Sequence, residues 1–598
     1  MSRAISGLTY LAGFYVFAAI AWAGIDLPLG SARLQTMKLI NPAMAFLVLA
    51  FVRAWRARSN EEPEKPLAPD SGGGARTVAR AWLYAIAPLA VFAWWRALSD
   101  GVIREDFQRI TQVASGAPFN GALWADASFF NFWSRQTSLA LDALCWPHFG
   151  LDPAPWHAVN LGLHLAVALC AGLLALALTR RTATGVLATA LVALMPMAVE
   201  PVCWIAGRDD SVAAFLALIS ALALVRAVRA GIAEPLADER GRLFFGRAAQ
   251  DVAWMALSVA ASLLALFAKE STLSLAGALV PVAWLAASRG ERSWRGELGA
   301  LARACLRVVP HGLVLAVYVI VRSRALAAQG WTPGATFTDW PKILLFPLSP
   351  VAPLAFPVNM EQIGELAWYG RAICGGSLVA AVLVALARFR PLVERETLGL
   401  YALLLGFTVP VYRMICLSAT LQNNRYLYLP GTAFAMLAAH LLVRNARAVR
   451  GARLVPALLV ASAFALVRMN AEPWVAVGAV AKRLNAEVGA LVEPLARHPH
   501  VRIDGVPEQF RGAFLLNLSD LGWALEVCHK LPLGQRHRLV ELYHAGAPRP
   551  ERAVGEPEFH WSPDQGLVAV PDPKMLTTRS LSAPSTYPAL LSGSIVTR

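Results

Sequence analysis

Residues Asp100 to Ile110 read D-G-V-I-R-E-D-F-Q-R-I, and the stretch continues through N-F-W-S-R-Q-T-S (131–138) to W-H-A-V-N-L-G-L-H (156–164). Apolar segments flank it, Ala81 to Leu98 and Trp156 to Leu178, each long enough to cross a bilayer. Between them the loop 99–155 carries an acidic pair, Glu105 and Asp106, an arginine, Arg135, and several tryptophans. Carboxylates at the mouth of a helix bundle mark recognition or chemistry. The rest of the chain reads as a scaffold for that loop.

At 598 residues, 57% hydrophobic and only 16% charged, the chain is too apolar for one soluble globule. A net charge of +15 raises the question of nucleic acid, but the arginines fall in short clusters between apolar segments. That is the positive-inside pattern of a polytopic membrane protein, with the lipid bilayer as partner and no nucleic acid. Five of the seven cysteines (Cys145, Cys170, Cys203, Cys374, Cys416) lie in or beside apolar segments, and no C-x-x-C pair occurs. Neither a zinc site nor a disulfide framework follows.

The apolar lengths predict an all-α polytopic protein with about thirteen spans. They lie near 8–24, 37–52, 81–98, 156–179, 184–200, 211–228, 250–268, 271–288, 305–321, 372–389, 398–415, 428–444 and 453–468. Arginine clusters follow every second span, at Arg53–Arg58, Arg180–Arg181, Arg226–Arg247, Arg289–Arg303, Arg388–Arg395 and Arg444–Arg450. All fall on one side if the N-terminus is cytoplasmic, so the tail is extracytoplasmic. The domains expected are an N-terminal hairpin (1–58), a Pro/Gly-rich cytoplasmic linker (59–80), a main bundle (81–469) with its outer loop 99–155, and a small mixed α/β domain (470–598). The last opens on an amphipathic helical pattern, Trp474 to Leu495, and the proline-rich run in 322–371 predicts an interfacial or re-entrant element. The Arg-over-Lys and Ala-rich composition points to a GC-rich bacterial genome, and the expected location is then a bacterial inner (plasma) membrane.

Several constellations stand out. One member of Glu105–Asp106 is placed to act as a general base towards an acceptor hydroxyl; the competing reading is a solvated loop acid. His157, Asn160 and His164 share one helix face, either for interhelical hydrogen bonding or for ligand contact. M-P-M-A-V-E-P-V-C-W-I-A-G-R-D-D (195–210) brings Glu200, Arg208, Asp209 and Asp210 together at a helix end, as a phosphate site or an ion-pair cluster. Lys269–Glu270 sits between two spans, and N-N-R-Y-L-Y-L-P (423–430) places Arg425 and Tyr426 at an outer helix start.

In their order along the chain these segments resemble the membrane glycosyltransferases of the C-type (GT-C) fold, in particular the protein O-mannosyltransferase-like branch and its bacterial relatives. The family shows an acidic pair after an early span, a Y-R-P-L-like segment and a G-x-x-P-x-x-H-x-x-N-x-x-x-H stretch. Then come H-P-x-x-x-E-x-V-x-W-I-x-x-R-x-D, K-E-x and R-Y-x-Y-x-P. Here they stand as Glu105-Asp106, W-S-R-Q-T (133–137), G-L-D-P-A-P-W-H-A-V-N-L-G-L-H (150–164), the 195–210 segment, A-K-E-S (268–271) and the 423–430 segment. The resemblance covers roughly 80–475. Glu105 stands where the family generally has aspartate, Met195 replaces a usual histidine, and Gln136 follows Arg135 where proline is common.

The resemblance implies inverting transfer of a sugar, mannose among the candidates, from a polyprenyl-phosphate donor to a protein or envelope-glycan acceptor on the outer face. Asp106 or Glu105 is then the base, and Arg135, Arg208 and Arg425 are phosphate ligands supported by Lys269 and Glu270. His157, Asn160, His164, Glu200, Asp209 and Tyr426 belong to the substrate region. No cofactor is required, since arginine can neutralise a leaving phosphate; a divalent metal is not indicated. Two readings from other classes stand beside this one: a flippase or transporter of lipid-linked saccharide, and a catalytically degenerate cell-envelope scaffold.

Overall fold

The computed structural model describes residues 2–22, 26–29, 32–35, 40–57, 73–119, 135–232, 245–287, 294–328, 346–414, 420–446, 449, 451–487, 501–505, 509–511, 513–514, 540–543, 558–562 and 565–570. Most of the linker expected at 59–80, together with Trp133–Ser134 and the stretch 329–345 of the proline-rich loop, lies outside them. The chain divides into two compact units, the first holding 1–482 and 509–516, the second 483–508 and 517–598.

The first unit is helical. Its opening hairpin pairs α1 (Ser2–Ala21) with α2 (Ile40–Ala57) around a short antiparallel ribbon, β1 (Asp26–Leu29) and β2 (Ala32–Gln35). The main bundle starts earlier than expected, because α3 (Gly74–Ala81) runs through a π turn into α4 (Ala87–Trp94) and a 3-10 turn to Ser99. Pro88 lacks the N–H that an α-helical ladder needs, and a widened turn just before it accommodates that gap.

The site-bearing helices follow. They are α5 (Asp106–Ala114), α6 (Gln136–Phe149), α7 (Pro153–Thr179), α8 (Thr182–Ala193), α9 (Val199–Cys203) and α10 (Arg208–Ile232). Beyond them come α11 (Phe245–Leu266), α12 (Leu275–Ala287) and α13 (Trp294–Ala328). A short α14 (Val351–Ala355) precedes α15 (Trp368–Ala385), α16 (Arg395–Thr408), α17 (Tyr428–Ala446) and α18 (Val455–Glu487).

Among the described residues, nine helical runs are long and apolar enough to cross a membrane, which makes this an integral membrane protein. Thirteen long crossings were expected. Four of these are not among the nine: α2, with 18 residues, and α8, α12 and α16, which have only 12, 13 and 14 because the sequence criterion counted the irregular segments at their ends as helix. The outer surface suits lipid: α13 turns Leu306, Leu313, Val317 and Ile320 outward. Small residues let the central helices approach closely. A Cβ at Gly172 of α7 would meet Thr189 of α8 at 1.8 Å.

The prolines of the 346–358 stretch do exclude a long helix. They leave a single turn, α14, whose Ala352 joins Phe356 and Val358 in a core with Val16, Phe46 and Leu378. The boundary expected at 470 is not a break. Helix α18 runs through it and absorbs the first part of the 474–495 pattern. A small ribbon, β4 (Gln509–Phe510) with β5 (Ala513–Phe514), belongs with the first unit.

The second unit contains a four-stranded sheet of order β6-β3-β7-β8. Strand β3 (Val501–Asp504) is parallel to β6 (Val540–Tyr543) and β7 (Glu558–Ser562), and β8 (Gly566–Val570) is antiparallel to β7. Gly505 turns out of β3 at φ +86°, where a Cβ would lie 2.4 Å from the Trp561 carbonyl; only glycine fits there.

Candidate functional site

Five segments far apart in sequence converge on one open cleft. Helix α5 contributes Glu105, Gln108, Arg109 and Gln112; the start of α6 gives Arg135; the turn into α10 gives Trp204, Ala206, Gly207, Asp209 and Asp210. Lys269–Glu270 and Arg425–Tyr426 complete the lining. Of the residues singled out from the sequence, Glu105, Arg135, Asp209, Lys269, Glu270, Arg425 and Tyr426 line this cleft; Asp106, His157, Asn160, His164, Glu200 and Arg208 do not.

The acidic pair splits into two jobs. Asp106 is fully buried, and its two carboxylate oxygens accept the backbone N–H of Ile103 (3.0 Å) and of Ala206 (2.7 Å). It fastens the 100–106 loop to the 204–208 turn. Burial pushes its carboxyl up to about 8, against those two donors and the nearby Arg208 and Arg109. Glu105 is different: its side chain is 42% exposed and opens on the cleft. Of the pair, Glu105 alone lines the cleft, with the Arg104 guanidinium 3.9 Å from its carboxylate. Arg104 before it holds a left-handed φ of +46°, and Leu421 (+61°) and Asn423 (+63°) do the same across the site. Such backbone costs of order 1–3 kcal/mol per residue and persists where the surroundings demand it.

Among the described residues, every cation that lines the cleft is matched by a carboxylate. Arg109 is paired with Asp142 and, at 2.7 Å, with Asp209. Arg135 bridges Asp209 (2.6 Å) and Glu270 (3.3 Å). Lys269 pairs with Asp210 and lies 5.6 Å over the Tyr426 ring. Arg425 bonds Glu200 at 3.1 Å and stacks on Trp204 at 4.7 Å. Burial lowers the Lys269 ammonium and Asp210 opposes that shift. For Glu270 burial works upward, but Arg135 and Lys269 prevail and hold its carboxyl below the usual range. Burial raises Glu200, partly offset by Arg425 and the Asn423 N–H.

Behind the cleft lies the frame. Arg208, expected as a phosphate ligand, is wholly buried and fully engaged. It donates to Asn160 (2.9 Å), Asp142 (2.6 Å) and the Trp156 carbonyl (3.1 Å), with its guanidinium 4.9 Å over the Trp156 ring. Asn160 also donates to the Trp204 carbonyl at 2.8 Å. His164 joins the Tyr428 hydroxyl (2.7 Å) to the Ala193 carbonyl (3.1 Å), and His157 is fully buried. Asn160 and His164 of the polar face of α7 therefore take the interhelical role.

Asp142, Arg109, Gln108 and Gln112 escaped the sequence reading. A lone aspartate in the apolar run S-L-A-L-D-A-L-C was the available signal for Asp142. Spacings of three, four and seven from Glu105 put Gln108, Arg109 and Gln112 on its helix face. Arg135 is set by the start of α6, where Thr137 bonds the Phe267 carbonyl through its N–H (3.1 Å) and Leu264 through its hydroxyl (2.8 Å). That brings it beside Lys269–Glu270. A scan against protein-family models, a search of curated proteins and a search of solved structures return no match for this chain.

Proposed function

We propose that the chain is an integral-membrane glycosyltransferase that moves a sugar from a polyprenyl-phosphate donor to a protein or envelope-glycan acceptor. The observation that carries this reading is the cleft itself, where among the described residues Glu105, the most exposed of its carboxylates, shares the lining with four cations: Arg109 of α5, Arg135 at the start of α6, Lys269, and Arg425 in the turn before α17. Glu105 takes the proton of the acceptor hydroxyl, whose oxygen attacks the anomeric carbon from the face opposite the phosphate. The carbon–oxygen bond to phosphate breaks, the phosphate leaves with the electron pair, and Arg135, Arg425 and Lys269 stabilise its charge. The configuration inverts. An adjoining opening lined by Leu273, Val409, Pro410 and Val411 shares Lys269, Glu270 and Tyr426 with the cleft, and gives the prenyl chain an apolar route to the same cations.

Thirteen crossings fit this reading when α2, α8, α12 and α16 complete the nine longer runs. The cleft segments 100–114, 200–209, 269–270 and 425 then all lie at one end of the bundle, and the arginine-bearing connections at the other. With the N-terminus cytoplasmic the cleft faces outward, across a bacterial inner membrane. Purified protein in nanodiscs is expected to transfer label from a polyprenyl-phosphate sugar to an acceptor. Binding of such a donor without transfer, together with its movement across the bilayer, would favour the flippase reading instead.

A further inference from the structure

We propose that Asn359 is a positioning residue for the donor phosphate: its carboxamide ties the β4–β5 ribbon to the turn that carries Arg425, and so sets that guanidinium in the cleft. The inference rests on the glycosyltransferase reading and adds to it a residue outside the cleft lining. Asn359 is buried, and it does not line the cleft. Its Nδ2 donates to the Thr420 carbonyl (3.1 Å) and to the Arg511 carbonyl (3.2 Å). Its Oδ1 accepts the Glu361 N–H at 3.1 Å, which fixes the way the amide faces. The reversed amide would set an oxygen against two carbonyls and leave the Glu361 N–H facing a donor.

Both segments joined by Asn359 hold backbone that needs support. Leu421 (+61°) and Asn423 (+63°) in the turn, and Arg511 (+49°) at the tip of the ribbon, have left-handed φ. Such conformations persist in residues other than glycine where the surroundings hold them. The turn is held from two sides. Glu200 accepts the Asn423 N–H at 2.6 Å and bonds Arg425 at 3.1 Å, while Asn359 holds the Thr420 carbonyl. The ribbon is anchored in its own right. The Arg511 guanidinium pairs with Glu365 and lies 5.1 Å over the Phe510 ring, and Ala513 is fully buried. It belongs with the first unit, although the segments before and after it belong to the second. Loosening Thr420 lets the turn relax and shifts Arg425 five residues on. A guanidinium so displaced loses the alignment on which its charge-assisted bonds to phosphate depend.

The test measures binding of polyprenyl phosphate to the full-length chain in nanodiscs, for wild type, Asn359→Asp, Arg425→Ala and the double variant. Asn359→Asp keeps the shape and the Glu361 bond but sets a carboxylate oxygen against two carbonyls. It is expected to weaken binding about threefold to tenfold, and Arg425→Ala about tenfold. Because Asn359 acts through Arg425, the double variant should bind no worse than Arg425→Ala alone; a general loss of structure would instead multiply the two factors. Asn359→Ser, whose hydroxyl can still serve the Glu361 turn and gives one donor in place of two, carries the same cycle should Asn359→Asp not fold. Wild-type affinity in a folded Asn359 variant, or multiplied losses in the double variant, overturns the inference and leaves the glycosyltransferase reading standing. Wild type that binds no polyprenyl phosphate overturns both.

Discussion

Two adjacent carboxylates, one exposed and one locked, make the site testable at single residues. Glu105→Gln keeps the shape of the side chain and removes the proton acceptor, so turnover should fall about 10²–10⁴-fold with donor binding retained. Asp106→Asn should act through structure. An amide retains one acceptor oxygen where the carboxylate served two N–H groups, so the 100–106 loop loosens from the 204–208 turn and thermal stability falls by about 1–3 kcal/mol. Full turnover in Glu105→Gln would remove that residue from the chemistry. The pairing of Arg135 gives a second expectation. Its bond to Glu270, at 3.3 Å, is longer than its 2.6 Å bond to Asp209, and a donor phosphate would compete for the same guanidinium. Glu270→Gln should therefore lower the donor KM, by about threefold to tenfold. A raised KM would mean that Glu270 holds Arg135 in place rather than occupying it.

At the scale of elements, α18 clamps the loop that carries Glu105. Gly478 and Gly101 meet backbone to backbone: a Cβ on Gly478 would lie 2.5 Å from the Gly101 nitrogen. Lys482 donates to the Ser99 carbonyl at 2.6 Å, and Trp474 stacks on Trp204 at 6.4 Å. Gly478→Ala must push the loop away, an overpacking cost of about 1–3 kcal/mol with a matching loss of turnover. Gly162→Ala, with nothing within 4 Å of its added Cβ, should be silent in both measurements. The same contact buries Asp100, whose carboxyl is pushed from 3.8 up to about 8 by burial, against Lys482. Folded protein thus keeps a proton that the unfolded chain has released, and stability contributed below about pH 4 is lost as pH rises towards 8. The melting midpoint of Asp100→Asn should vary less between pH 5 and 8 than that of wild type. This clamp was not legible in the sequence. Gly101 and Gly478 are separated by most of the chain, and glycine carries no periodic signal. The ion pairs were partly legible, because charged residues in apolar surroundings announce themselves. Their partners were not: which carboxylate meets Arg208 depends on how α6, α7 and α10 pack.

The whole molecule was more readable than its site. Long apolar runs and arginine clusters were enough to place the chain in a membrane, since both follow from composition alone. The split between Glu105 and Asp106 was not accessible that way, because neighbours in sequence differ here only by which side of one turn they face. One element joins the scales. Helix α18 has 33 residues and so runs about 50 Å, whereas a hydrocarbon core is about 30 Å thick. A helix longer than the layer it crosses, with Pro473 inside it as a bending point, can tilt or bend when that layer thins. Because Gly478 touches Gly101, any such tilt pulls on the strand of chain that presents Glu105. The protein should therefore report membrane thickness as reaction rate. In vesicles of graded acyl-chain length, turnover should pass through a maximum, and Gly478→Ala should flatten it; a rate indifferent to lipid length would show that the rod and the loop move independently.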